Sequence, residues 1–337
     1  MKDTSRSHYK TFEHVFLYIT ENCQLKCKHC YMGDRLYRKL SMSYSQATAY
    51  SRYLYKLGAR NLTILGGEPT VHRDFVRIVQ TAKDIGYEKV NVDTNGLNIN
   101  KFSKIHPSLL HYIRFSLDGP YAEYHDYIRA EGTFDRAIAN IKKLIDSGFN
   151  VAITSTITKH NYHVAKDFLM LADSLGIKLV NFHVLSEEGF AKNINDLALT
   201  PIEWINFCEY LESVKNNYAV SIWYPPSWCK PSKLDKFLSE GYRGCLGVSI
   251  DRLSIFPDGV CYICSVLFDR EVWFGRIENE KFVLNRNSNE FELFVNSIFN
   301  ADKAYLSGCP AEHTLDRKYT DNAEEIIPIC RCWKSQI

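Results

Sequence analysis

The sequence predicts an α/β fold, a partial six-unit (β/α) barrel followed by a smaller C-terminal domain. Three observations predict it. Short apolar runs alternate with longer helical stretches from Phe16 to about residue 185. The helical stretches stop at Gly58, Gly86, Gly148 and Gly176, where a chain leaving a helix needs left-handed backbone. Four apolar runs end in the polar tails ITENC, LGGEP, VDTNG and FSLDG. Strands alternating with helices imply a parallel sheet with right-handed crossovers, and such sheets bind ligands beyond the carboxyl ends of their strands. Closing a full barrel would take two more units.

The elements follow in order. VFLYIT (15–20) reads as a buried strand that runs into a cysteine-rich loop. SMSYSQATAYSRYLYKLG (41–58) reads as a helix with Ser43 as its cap. NLTILGG (61–67) is the second strand, HRDFVRIVQTAKDIG the next helix and KVNVDTNG (89–96) the third strand. LLHYIRFSLDG (109–119) contains the fourth strand and TFDRAIANIKKLIDSG a helix. NVAITSTIT (150–158), HVAKDFLMLADSLG and KLVNFHVL (178–185) supply the fifth strand, a helix and the sixth strand. After about residue 190 the rhythm breaks. TPIEWINFCEYLESVK (200–215) reads as a helix with Thr200 as cap and Pro201 in the first turn. YPPSWCKPSK reads as an irregular connection, and LSIFPDGVCYIC (253–264) as a hairpin around Pro-Asp-Gly. The expected division is therefore 1–190 for the barrel, 191–240 for a helical linker and 241–337 for the C-terminal domain.

Composition excludes several classes. The 337 residues carry 41 basic and 39 acidic side chains, a formal charge of +2 that gives no general pull toward nucleic acid or an anionic membrane. No run of about 18 apolar residues occurs, and the first residues lack the apolar segment of a secretory signal, so a cytoplasmic location is expected. Eleven cysteines in a reducing compartment point to metal binding or redox chemistry rather than disulfides.

Cys23, Cys27 and Cys30 stand within eight positions. A structural zinc site takes four ligands, and His29, next to Cys30, is poorly placed to be the fourth. A [4Fe–4S] cluster held by three thiolates keeps one iron open for a ligand. Cys23-x3-Cys27-x2-Cys30 resembles the signature of the radical S-adenosylmethionine (radical SAM) superfamily. Gly66-Gly67-Glu68-Pro69 resembles that family's GGEP motif, which contacts the SAM amino group. The resemblance implies SAM held at the open iron, cleavage of SAM to a 5′-deoxyadenosyl radical, and hydrogen abstraction from a substrate. It further implies SAM contacts for Asn95 and Ser116, both of which are equally good turn formers. Arg129, in HDYIRAEGTFD, is expected to face the SAM carboxylate or to be a surface arginine. Phe182 and Val184 would flank adenine or belong to the core, and His183 reads as structural.

Six cysteines fall late in the chain: Cys245, Cys261, Cys264, Cys309, Cys330 and Cys332. RGCLGVSIDRLSIFPDGVCYIC resembles the start of the SPASM extension, or its shorter twitch form. One auxiliary [4Fe–4S] cluster on Cys245, Cys261, Cys264 and Cys309 is implied, with Cys330 or Cys332 as a replacement ligand. A four-cysteine zinc site is the alternative reading of the same residues. Cys208 reads as a small core residue, and Cys229 as a hydrogen-atom donor to a product radical.

The expected activity is oxidative tailoring of a ribosomally made peptide by cross-linking, dehydrogenation or epimerisation. The alternative is oxidation or epimerisation of a small natural-product intermediate. An electron carrier would not need GGEP, and a zinc module would not need a three-cysteine site. An external electron donor such as flavodoxin or ferredoxin is implied; with only 22 residues before Cys23, a peptide substrate is expected either to dock on the barrel mouth or to come with a separate peptide-carrier protein. The ending KSQI lacks the Gly-Gly of molybdopterin-pathway cyclases, which favours the twitch reading.

Overall fold

The computed structural model describes residues 12–240, 252–264, 267–268, 273–278, 281–285 and 326–328. Cys245, Cys309, Cys330 and Cys332 lie outside the described residues.

Six parallel strands form where the apolar runs predict them: β1 (His14–Thr20), β2 (Asn61–Gly66), β3 (Lys89–Thr94), β4 (Tyr112–Ser116), β5 (Val151–Ile157) and β6 (Leu179–Val184). The helices between them are α1 (Arg35–Arg38), α2 (Tyr44–Lys56), α3 (Phe75–Ile85), α4 (Ala122–Ile128), α5 (Thr133–Asp146) and α6 (Ala165–Ser174). Local chemistry sets several of their ends. The Ser43 hydroxyl accepts from the Gln46 amide while the Gln46 side chain accepts from the Ser43 amide, a reciprocal cap for α2. Thr200 and Glu203 do the same for α7 (Pro201–Val214). Gly86 closes α3 at φ 114°, a conformation that costs glycine nothing.

The sheet is larger than six strands. A seventh parallel strand, β7 (Ser221–Trp223), pairs with β6. YPPSWCKPSK is not wholly irregular either: β8 (Trp228–Cys229) pairs with β13 (Ile327–Pro328), and α8 (Pro231–Ser239) follows. The hairpin forms from β9 (Arg252–Ile255) and β10 (Val260–Tyr262), and β9 lies parallel to β1. Strands β11 (Gly275–Glu278) and β12 (Lys281–Leu284) extend the edge, giving the order β12-β11-β10-β9-β1-β2-β3-β4-β5-β6-β7. Eight consecutive strands, β9 and β1 to β7, are thus parallel.

The two faces of this sheet differ. Leu17, Ile64, Val92, Ile113, Phe115, Ile153, Val180 and Phe182 face the helices and are fully buried. The alternate residues line one central cavity: His14, Phe16 and Tyr18 from β1, Thr63 from β2, Asn91 and Asp93 from β3, Arg114 and Ser116 from β4. Thr154 and Thr156, Asn181 and His183, Trp223, Arg252 and Ser254 complete it from β5, β6, β7 and β9. One cavity walled by eight strands means that the sheet curls into an incomplete barrel. No helix among the described residues is long and apolar enough to cross a membrane.

Candidate active site

The three cysteines sit in the loop between β1 and α1, at the carboxyl end of β1. The loop is tied down by backbone hydrogen bonds from three directions. Lys28 N donates to Ile128 O at 2.8 Å, and Phe190 N donates to Cys30 O at 2.9 Å. Gly67 N and Glu68 N donate to Thr20 O and Asn22 O, each at 2.8 Å. The last pair explains the double glycine. A Cβ on Gly67 would stand 2.5 Å from the Asn22 carbonyl oxygen, and one on Gly66 would overlap the Thr20 carbonyl oxygen.

Cys23, Cys27 and Cys30 line the upper part of the cavity, beside Gly66, Gly67, Asn95, Ser116 and Arg129. Burial pushes the Cys23 thiol up to about 12 and the Cys30 thiol up to about 11, and it raises Cys27 as well. Two N–H groups face these sulfurs. Asn95 Nδ2 lies 3.8 Å from Cys23 Sγ, and Arg129 Nη1 lies 3.9 Å from Cys27 Sγ. Among the described residues no three His, Cys, Asp or Glu side chains are grouped to hold a single metal ion. A cubane cluster asks for something else, one thiolate on each of three irons.

Arg129 is neither at the surface nor free to swing. Its side chain is 9% exposed, and Nε donates to Asp118 Oδ2 at 2.7 Å, with Asp118 fully buried. Burial pushes the Asp118 carboxyl up, but Arg129, His29, His125 and the Thr156 amide together hold it below its ordinary value. His29 Nε2 is 3.5 Å from the same carboxylate oxygen and 3.4 Å from Arg129 Nη2. Burial lowers this imidazole to about 4, so it is neutral at pH 7. His29 therefore belongs to the support beneath the cysteine loop.

Glu68 also turns away from the cavity. Its carboxylate is fully buried and accepts from Thr70 N, Thr70 Oγ1 and Thr94 Oγ1 through Oε1, and from Asn95 N through Oε2. It fixes the ends of β2 and β3 relative to each other, while Gly66 and Gly67 line the cavity. Asn95 Oδ1 accepts from Gln24 Nε2 at 3.1 Å, which links the third strand end to the cysteine loop.

Other expected residues fall elsewhere. Phe182 packs against Phe168 and Phe207 on the helix side, while Val184 and His183 line the cavity. Cys229 is buried in β8 and is not on the cavity wall. Cys208, on α7, packs against the core. Cys261 and Cys264 are both buried in the main apolar core, with Cys261 Sγ donating to Gly259 O at 3.4 Å.

Sequence reasoning missed two groups. One joins the cysteine loop to the hairpin. Buried Glu21 meets Arg35 at 3.3 Å and Arg38 at 3.2 Å, Arg38 reaches Asp258 at 2.5 Å, and Arg35 donates to Tyr262 Oη at 2.7 Å. The other is the mid-cavity set of Tyr18, Asp93, Arg114, Asn181, Trp223 and Arg252. Its signal was present, as charged and amide side chains at alternate positions of otherwise apolar strands.

Comparisons with known proteins fit this geometry. Residues 17–175 match the Radical SAM superfamily, and this segment is a radical SAM domain. The chain is 27% identical over 262 residues to a protein described as probable GTP 3′,8-cyclase from Saccharolobus solfataricus (strain ATCC 35092 / DSM 1617 / JCM 11322 / P2), covering 76% of this chain and 83% of that one. It is 32% identical over 166 residues to the mycofactocin maturase MftC of Mycobacterium ulcerans (strain Agy99), covering 48% and 44% of the two chains. The structure of Streptococcus suis SuiB bound to precursor peptide SuiA superposes with a TM-score of 0.64 at 16% identity, over 77% of this chain and 61% of that one.

Proposed function

We propose that this chain is a radical SAM enzyme that tailors a ribosomally made peptide oxidatively, by cross-linking, dehydrogenation or epimerisation. One observation carries the reading: Cys23, Cys27, Cys30, the Gly66–Gly67 turn, Asn95, Ser116 and Arg129 share one wall of a cavity at the strand ends of a parallel sheet. The donor set fits a [4Fe–4S] cluster. Three thiols face one space, and an amide N–H and a guanidinium face two of the sulfurs, where negative charge would reside. When bound, the cluster would supply the electron that cleaves SAM to methionine and a 5′-deoxyadenosyl radical. The chain's own part is to hold and exclude. Glu68 and Asn95 brace the strand ends, Arg129 and Asp118 support Cys27, and the curled sheet keeps water from the reacting centre.

A peptide substrate is supported by the likeness to SuiB, solved with its precursor peptide, and by the similarity to the maturase MftC. We assign residues 241–337 to an auxiliary-cluster domain on Cys245, Cys261, Cys264 and Cys309, with Cys330 or Cys332 as a replacement ligand. Its support is the buried Cys261-x2-Cys264 pair leaving the hairpin. An external flavodoxin- or ferredoxin-like donor and a separate peptide carrier complete the proposal. A second reading, action on a small molecule, is favoured by the similarity to the probable GTP 3′,8-cyclase across 76% of the chain.

The test is anaerobic reconstitution, iron and sulfide counting, and assay of 5′-deoxyadenosine after adding SAM and reductant. About eight irons per chain with 5′-deoxyadenosine formed supports both clusters, and about four with activity removes the auxiliary one. Zinc without iron, and no SAM cleavage, overturns the reading. Deuterium transfer from labelled peptides, set against labelled GTP, separates the two substrate readings.

The Gly66–Gly67 turn gives a narrower prediction. Gly67→Ala should destabilise the fold by about 1–3 kcal/mol, because the new methyl meets backbone that cannot move aside. It should also weaken SAM binding by shifting the turn against the cysteine loop. Urea unfolding and calorimetric titration of SAM read the two effects separately, and unchanged SAM affinity would place the turn outside the SAM site.

A further inference from the structure

The cavity does not end at the cysteine loop. It has a volume of about 390 Å³ and runs down the inside of the sheet from Cys23 and Ser186 to His14, Asn61 and Lys89 at the strand starts. The inside of such a barrel is ordinarily filled by branched apolar side chains. Here the wall made by β6 and β7 carries neutral polar groups instead. Asn181 and Trp223 are paired in register, and paired positions on neighbouring strands stand about 4.8 Å apart. His183 lies two residues further along β6, its ring 5.7 Å from the Trp223 ring. All three line the cavity. Trp223 is 8% exposed, and its indole N–H has no hydrogen-bond partner among the described residues. The Asn181 carboxamide, 7% exposed, makes no hydrogen bond to a described residue either. Burial, with the charges of Arg114 and Arg252, lowers His183 to about 4, so this imidazole is neutral at pH 7. Asn91, on β3, lines the same cavity, and its side-chain oxygen is buried without a partner among the described residues.

Buried polar groups without partners are rare in native folds, because each forgoes the hydrogen bonds it had with water. Here a buried donor, the Trp223 indole, and a buried acceptor, the Asn91 oxygen, both go unmet. The Asn181 carboxamide and the neutral His183 ring each add one group of either kind. An occupant that satisfies this set must itself both donate and accept. A carboxylate at neutral pH only accepts, an ammonium only donates, and an alkyl chain does neither. A carboxamide does both, is planar, and brings no charge that would need a counter-ion in a buried place. Asn181 and Asn91 stand mid-strand, below the strand ends, so the tip of an inserted side chain reaches them more readily than a peptide backbone does.

We propose that Asn181, His183, Trp223 and Asn91 form a substrate subsite for a neutral carboxamide, the side-chain end of an asparagine or glutamine in a peptide. The subsite lies below the cysteine loop, so a carboxamide anchored there holds the methylene carbons of its own side chain toward the SAM region. This inference rests on the proposed peptide-tailoring function, in that it names which side chain the same cavity selects.

The test reads binding at the wall itself and is independent of turnover. The reconstituted full-length protein is labelled with 5-fluorotryptophan at its five tryptophans, and Trp223→Phe assigns one fluorine resonance by its loss. The labelled protein is titrated with N-acetylglutamine amide, N-acetylglutamate amide and N-acetylleucine amide, which share one backbone and differ only in the side chain. The glutamine probe should move the Trp223 resonance saturably, at a concentration about tenfold below either of the others, the scale of one buried group left unpaired. Asn181→Leu should weaken the glutamine probe about tenfold and leave the leucine probe unweakened. The other four resonances show whether that variant is folded, and the ranking of probes on the wild type stands without it. Equal affinity for the three probes, or no saturable movement of the Trp223 resonance, overturns the subsite. Tighter binding of the glutamate probe overturns the neutral carboxamide in favour of an anion. Tighter binding of guanosine, whose ring carries the same N–H and C=O, overturns the peptide source. Failure of the parent reading would show differently, as absence of SAM cleavage by the wild-type enzyme.

Discussion

Replacing Cys27 by serine should remove iron from the first cysteine site and abolish 5′-deoxyadenosine formation. A serine hydroxyl is far less acidic than a thiol, and its hard oxygen suits an iron–sulfur cluster less well, so it holds iron much more weakly than a thiolate. Among the described residues, Cys23, Cys27 and Cys30 are the only cysteines on the cavity wall. The expected loss is about four irons per chain, the content of one cubane. The fold should survive. Serine nearly matches cysteine in shape, and Arg129 Nη1 already faces the position, so the change in stability should stay below about 2 kcal/mol. Iron counting beside circular dichroism separates the two effects, and full iron content in a folded Cys27→Ser protein would sink the assignment. A pH dependence accompanies it. Burial raises all three thiols, and each must lose its proton to bind iron. Iron loading of the wild type should therefore rise with pH between about 7 and 9.

Arg129→Met should destabilise the folded chain by about 3–5 kcal/mol at pH 7, the scale of a buried pair left with one charge. Asp118 is fully buried, and its strongest charge partner is Arg129. In the wild type the Asp118 pKa is depressed on folding, so its contribution is complete above the ordinary aspartate value of about 3.9 and is lost as pH falls through the lower folded value. Without Arg129 the burial effect dominates, and the folded pKa moves above the ordinary value. The variant then gains relative stability by taking up a proton as pH falls. The gap between wild type and variant should narrow between about pH 7 and pH 4, read by urea unfolding at each pH. A gap that stays constant would show that Asp118 remains charged with other partners. Arg129→Lys keeps a charge but loses the planar fork, and should fall between the two.

The two substitutions bear on one structural unit. Arg129 reaches Asp118 through Nε and Cys27 through Nη1, so the residue that neutralises a buried carboxylate also faces a cysteine sulfur. The hairpin is fastened to the other side of the same loop through Glu21, Arg35, Arg38 and Asp258. The cysteine loop is therefore gripped from the strand ends and from the C-terminal hairpin together.

Much of this architecture was legible in the chain. The six strand–helix units, the caps at Ser43 and Thr200, the stop at Gly86 and the hairpin at Pro-Asp-Gly depend on neighbours a few residues apart, and such preferences are written locally. The cysteine spacing and GGEP were equally plain, because a loop that presents three thiols must carry them close in sequence.

What only the tertiary structure decided is everything that depends on distant partners. Three residues, Ser221–Trp223, are too few to show a period, and they became a strand because β6 offered an open edge. β9 joined β1 in parallel across more than 200 residues, a pairing that no local pattern encodes. Glu68 and Arg129 stand in motif positions that suggest ligand contact. Burial beside Thr94, Asn95 and Asp118 turned one carboxylate fully inward and committed one edge of the guanidinium. The sequence by itself determined where the three thiols, the double glycine and the polar strand ends fall along the chain. Burial and pairing between remote segments determined which of those side chains face the cavity, because desolvation and ion pairing act on whatever the fold brings together.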